Sequence, residues 1–222
     1  MEYNAANLAF SPSSIALNAQ NQFGIHEYTK ILLIGNYSLK ESAIGLSYQA
    51  ENGIITNQKI AVAFAKKIQP KLACGVTINY NQFRSQNQYY QNHQIITFNA
   101  GLSYKINPKT LIGFQIENPN RSQIIVFPKE NLPATIRMGM KHKLSHYISA
   151  YIDALQSSNQ NLNVSVGIEI IKEQYKIRMG VNLNQIIGCG FSFKKGNILI
   201  DVGLRFHNHL GISPSLNTSY AL

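Results

Sequence analysis

Between Leu162 and Phe206 the chain alternates apolar and polar residues, and that alternation leaves little freedom of fold. Leu162, Val164, Val166, Ile168 and Ile170 share one parity, with Asn163, Ser165, Gly167 and Glu169 on the other. The pattern restarts after Lys172-Glu173-Gln174 with Tyr175, Ile177, Met179 and Val181, then with Ile187, Cys189, Phe191 and Phe193. Past Lys195-Gly196-Asn197 it resumes with Ile198, Ile200, Val202, Leu204 and Phe206. A period of two belongs to strands, whose successive side chains leave on opposite faces. Each run is about nine or ten residues long, the length a membrane-crossing strand needs. One face is wholly apolar; the other carries glycine and charge.

The same reading extends over the rest of the chain. Strands are expected near 14–23, 28–39, 42–50, 59–68, 71–82, 93–106 and 110–118, then around Ile136 to Lys141 and Ile148 to Asp153. The four runs above follow, and a last strand lies near 211–222. Residues 1–12 read as an irregular segment ahead of a single domain. The total is about fourteen strands, the even number typical of single-chain outer-membrane barrels. Connections after even strands are tight and lysine-rich, as at Leu39-Lys40-Glu41-Ser42, Gln69-Pro70-Lys71 and Asn107-Pro108-Lys109. Those after odd strands include all the long ones, around 51–58, 83–92, 119–133 and 156–161. Short turns on the terminus side and longer loops opposite are the asymmetry of such barrels.

Composition agrees. The 222 residues are 45% hydrophobic but 14% charged, below the usual quarter. Mean hydropathy is -0.12, and no apolar run approaches the roughly 18 residues of a membrane helix. Tyr37, Tyr104, Tyr175 and Phe193 fall on the apolar face beside the short turns, and Tyr48, Tyr80 and Phe206 at the opposite ends. Two such rows make the aromatic girdles of a membrane barrel. Gly45, Gly75, Gly101, Gly113, Gly139, Gly167, Gly180, Gly188, Gly190 and Gly203 read inward; Gly35 reads outward. The expectation is an all-β, antiparallel up-and-down transmembrane barrel in a bacterial outer membrane, in contact with its lipid. A soluble β-sandwich is the rival fold.

The net charge of +10 raises nucleic acid as a partner, but the cations sit at turns rather than in one patch with stacking aromatics; no nucleic-acid binding is expected. Cys74 and Cys189 lie on apolar strand faces, where a thiol behaves as a small hydrophobe. Met1 to Phe10 lacks the basic start and apolar core of a secretory signal, so an exported chain is expected here in mature or recloned form.

By parity Lys105, Glu117, Arg137, Lys141, Asp153, Glu169, Lys176, Arg178, Lys194, Asp201 and Arg205 face the lumen. Either they make a polar, anion-preferring pore or they pair and fill the interior, since charges in a narrow space need partners. Phe83, Arg84, Tyr89 and Tyr90 in one loop, with Arg121 and Phe127 in another, are of the types that dominate binding hot spots. His207-Asn208-His209 and the pair His142 and His146 lack the further ligands of a metal site. No phosphate loop or nucleophile elbow is present. Neither cofactor, metal nor enzymatic activity is expected.

Asn4-Ala5-Ala6-Asn7-Leu8-Ala9 ahead of the first strand resembles the Asn-Pro-Ala-x-Leu-Ala entry of the PorV/PorQ group, related to FadL-type barrels. The Phe23-Gly24 hairpin, the Tyr48 to Gly53 strand end and His209-Leu210-Gly211 look similar to the same group. Ala5 replaces the proline, the segment ahead of it is missing, and residue 222 is leucine rather than aromatic. The resemblance implies a barrel of about fourteen strands that binds partner proteins in a type IX secretion or outer-membrane assembly complex. The alternative is a FadL-like channel for hydrophobic or small solutes.

Overall fold

The computed structural model describes residues 4–53, 55–85, 92–124 and 130–222. Asn4 caps a short 3-10 helix, η1 (Ala5–Phe10). Strands follow: β1 (Ser14–Asn21), β2 (Thr29–Ser38), β3 (Ser42–Glu51), β4 (Ile55–Gln69), β5 (Leu72–Ser85), β6 (His93–Asn107) and β7 (Thr110–Glu117). After a two-residue ribbon, β8 (Gln123–Ile124) with β9 (Glu130–Asn131), come β10 (Thr135–Lys143), β11 (Ile148–Ser157), β12 (Asn163–Lys172) and β13 (Tyr175–Asn182). The last are β14 (Ile186–Lys195), β15 (Ile198–His207) and β16 (Gly211–Ala221). Apart from the ribbon, all strands form one closed barrel of antiparallel neighbours. It is sealed where Ser14 of β1 pairs with Ala221 of β16. Closure excludes the sandwich and leaves no unpaired edge, which a bilayer requires.

The dyad pattern sets which face is which. Leu46, Val62, Ile78, Phe98, Met138, Ile168, Met179 and Val202 stand exposed on the outside, so the apolar belt points to lipid. No helix is long and apolar enough to cross a membrane; the crossings are strands. Tyr37 is 62% exposed and Tyr175 packs against Phe193 at 5.4 Å, beside the short turns. Tyr48, Tyr80 and Phe206 are exposed near the other rim. The six connections on the side where β1 begins and β16 ends, at 39–41, 70–71, 108–109, 144–147, 173–174 and 196–197, are all tight; the opposite side mixes three-residue connections, at 52–54, 183–185 and 208–210, with all the longer ones.

Three expectations need correction. Residues 1–12 are not irregular throughout, because Ala5–Phe10 forms a 3-10 helix that buries Ala5, Ala6, Leu8 and Ala9. β4 begins at Ile55 rather than near Lys59, and β5 runs to Ser85. The connection 118–134 carries the β8–β9 ribbon, too short for any period to be read.

Candidate functional site: the lumen

Two kinds of inner wall face each other across the bore. On the wall of β3 to β6 the inward positions are small: Ala43, Ala63, Ala65 and Ala73 are almost fully buried, and Gly75 and Gly101 lie alongside. Against this wall sits η1, with Ala5, Ala6, Leu8 and Ala9 buried. The approach is close enough to demand glycine: a Cβ on Gly75 would stand 2.5 Å from the Ala6 nitrogen and 2.6 Å from the Ala5 carbonyl carbon. One on Gly101 would meet the Asn4 amide oxygen at 2.2 Å.

Asparagine fastens the segment. Asn4 Oδ1 accepts from Ala6 N at 3.0 Å, while its Nδ2 donates to Leu102 O at 2.9 Å and Phe114 O at 3.2 Å. Ser103 Oγ donates to Asn7 Oδ1 at 2.7 Å. At the turn-side mouth, Lys105 Nζ stands 3.9 Å and Lys67 Nζ 5.9 Å from the Phe10 ring centre, within cation–π range. The Asn-Ala-Ala-Asn motif is therefore a plug: asparagines bond the wall and alanines fit its small residues.

The wall of β10 to β16 is charged and hollow. Arg137 approaches Asp153 at 4.0 Å. Glu169 takes hydrogen bonds from Lys141 Nζ at 3.4 Å and Tyr151 Oη at 2.6 Å. Arg178 pairs with Asp201 and Ser192, and Asn217 Nδ2 donates to Asp201 at 2.9 Å. Six of the expected lumen charges thus lie in three ion pairs. Glu117 accepts from Gln115 Nε2 at 2.8 Å. Lys176 lies half-buried on the inner face of β13, and Lys194 is exposed at the turn-side end of β14. Arg205 is exposed to the bore and has no carboxylate partner among the described residues.

Cavities run along the bore. One of about 770 Å³ lies between Asn4 and Asn7 of the plug and the wall at Lys141, Tyr151 and Asp153. It shares Tyr151 and Arg205 with a second, of about 590 Å³, against β12 to β16. It shares Arg137 with a third, of about 330 Å³, lined by Lys30, Lys59, Thr77, Asn79 and Asn81. Parity on β2 and β4 had not brought Lys30 and Lys59 into the set of inward charges. The signal was there, since Leu32 and Ala61, which share their parity, are buried.

The residues named for partner binding fare differently. Phe83 and Arg84 lie on β5, not in a loop, and Arg84 Nη2 donates to Gln82 Oε1 at 3.1 Å. Arg121 lies in the connection after β7, its backbone at φ 46°. Tyr89, Tyr90 and Phe127 fall outside the described residues. His207 and His209 rings are 6.4 Å apart, and no cluster of three potential metal ligands occurs among the described residues. Cys74 and Cys189 are free thiols on separate strands.

No protein-family model and no curated protein matches the chain. Solved structures do match. A FadL homologue from Pseudomonas aeruginosa is similar at 11% identity, with 98% of this chain and 92% of that chain covered and a TM-score of 0.75. The toluene transporter TodX of Pseudomonas putida matches at 10% identity, 99% and 92% coverage, TM-score 0.74. A variant of the Rh. blastica porin matches at 6% identity, 95% and 99% coverage, TM-score 0.54. At such identities the likeness is one of fold: the chain is a bacterial outer-membrane β-barrel with the architecture of FadL-type proteins. The PorV/PorQ resemblance gains no support beyond the barrel those families share.

Proposed function

We propose that the chain is an outer-membrane channel for small hydrophilic solutes, closed on its turn side by its own N-terminal plug. The observation that carries this reading is the unfilled half of the lumen. Cavities of about 770 and 590 Å³ adjoin through Tyr151 and Arg205, and the plug rests on the opposite wall. A barrel serving only as a scaffold has no need of such a bore.

TodX is described as a monoaromatic hydrocarbon channel, and the shared fold favours a channel over a secretion subunit. The lining adds to its apolar surface a set of charges, which a hydrocarbon has no means to solvate or pair. Here Arg137, Lys141, Asp153, Glu169, Arg178 and Asp201 face the space, and rings of polar and charged groups are how pores select hydrophilic solutes.

Liposome swelling in arabinose tests the reading with the full chain and with Gly75→Val, whose side chain cannot coexist with the seated plug. The variant is expected to swell the vesicles about tenfold faster than the parent, since dislodging the plug removes a closure of at least about 1.4 kcal/mol. Background swelling from both proteins, each folded, would sink the channel.

A further inference from the structure

The second cavity has an unusual floor. Registered directly across the wall are Tyr151 of β11, Gly167 of β12, Gly180 of β13, Gly188 of β14, Arg205 of β15 and Ser213 of β16. Three glycines in a row remove every side chain between Tyr151 and Arg205. A Cβ at Gly188 would meet nothing within 4 Å, so that position is bare because space is left there, not because a neighbour fills it. The resulting hollow, about 590 Å³, is within the range of small-molecule pockets.

Charge in the hollow is unbalanced. Its carboxylates are already engaged, Glu169 by Tyr151 and Lys141, Asp201 by Arg178 and Asn217. Arg178 turns to Asp201, away from Arg205. The residues directly opposite Arg205 are Gly188 and Ser213, neither of which is an acid. A guanidinium with no counter-charge among the described residues, beside a space of solute size, is complemented by an anion from solution, and its planar fork fits a carboxylate or phosphate with two parallel bonds. Asn18 and Gln20 of β1 line the same hollow and supply amide groups for hydroxyls of the solute.

We propose that this hollow is a binding subsite for a small organic anion, with Arg205 as its anchor and the Gly167–Gly180–Gly188 floor as the space the solute occupies. The proposal rests on the channel reading and names its solute class: a carboxylate or phosphate of a few carbons carrying polar groups.

Equilibrium dialysis of the detergent-solubilised full chain tests it without requiring conduction. The probes are radiolabelled succinate, glycerol 3-phosphate in a separate arm, and arabinose as the neutral reference. The wild type is expected to retain one or both anions well above arabinose. Arg205→Ala and Gly188→Leu are each expected to weaken that retention at least tenfold, and Arg205→Lys by a smaller factor. The leucine at 188 fills the hollow from a position where the backbone admits a side chain, so a loss there does not depend on how Arg205→Ala folds. Heat-modifiable gel migration verifies the barrel in each variant. Anion retention no greater than that of arabinose overturns the subsite, as does equal retention by all three variants. A protein that passes arabinose into liposomes yet holds no anion loses the subsite and keeps the channel. One that holds the anion and leaves vesicles unswollen does the reverse.

Discussion

The wall of β3 to β6 and the wall of β12 to β15 present the same outer face to lipid and share the same alternation, yet inside they behave oppositely. Both are lined by small residues. On the first, Ala43, Ala63, Ala65, Ala73 and Gly75 are covered by η1 and buried. On the second, Gly167, Gly180, Gly188, Gly190 and Gly203 border a cavity ringed by charge. Small side chains only create room; what occupies the room depends on polarity nearby. Alanines give a dry surface that docks an apolar turn. Glycines flanked by Arg178, Glu169, Asp201 and Arg205 give a wet one, since water or solute is needed to solvate charges that apolar packing would strand.

The comparison can be broken from either side. The largest effect is expected from Gly75→Val, which forces η1 off its wall. It should convert the plugged half into open bore and raise the arabinose flux of the Proposed function about tenfold. Arg178→Met acts on the other wall. It leaves Asp201 with Asn217 and Ser192 as partners, and removing a charged hydrogen-bond partner costs about 2 kcal/mol. Urea unfolding from micelles should show a lower midpoint, and an unchanged one would mean the Arg178 pairing adds nothing. Asn4→Ala sharpens the contrast more gently. Losing the bonds to Leu102 O and Phe114 O should weaken plug docking by about 1 kcal/mol, seen as a roughly fivefold rise in swelling rate. Phe10→Ala removes the ring held by Lys105 and Lys67, worth about 0.5 kcal/mol at a wet mouth. Its swelling rate should rise about twofold and respond less to salt. Gly35→Ala, on the lipid side where a Cβ meets nothing, is expected to shift neither measurement.

Most of the barrel was readable because a strand that faces lipid on one side and a polar bore on the other must alternate, and Leu162 to Phe206 does so without a break. The inward set of charges on β6 to β15 followed from parity alone. β2 was harder, since Leu32 and Ile34 put apolar residues on the inner face too, and Lys30 was lost among them. The last residues of β5, Phe83 to Ser85, read as a loop because no belt of aliphatics marks the outside beyond Tyr80. η1 was out of reach for a different reason: two turns of 3-10 helix are too short for a period to be detected. Its imprint was nevertheless written on its receptor, in alternate small residues from Ala43 to Gly75, which give η1 the room to dock.

The plug directly precedes β1, and β1 is the strand that meets β16 to seal the cylinder, pairing Ser14 with Ala221 across nearly the whole chain. That seam is the contact of greatest sequence separation and carries the largest loop-closure cost. η1 is tethered to β1 through Ser11, Pro12 and Ser13, with Pro12 O bonded to Asn36. In biogenesis, then, placing the seam strand also places the segment that occupies the bore. The same short stretch of chain both seals the cylinder and lines its interior.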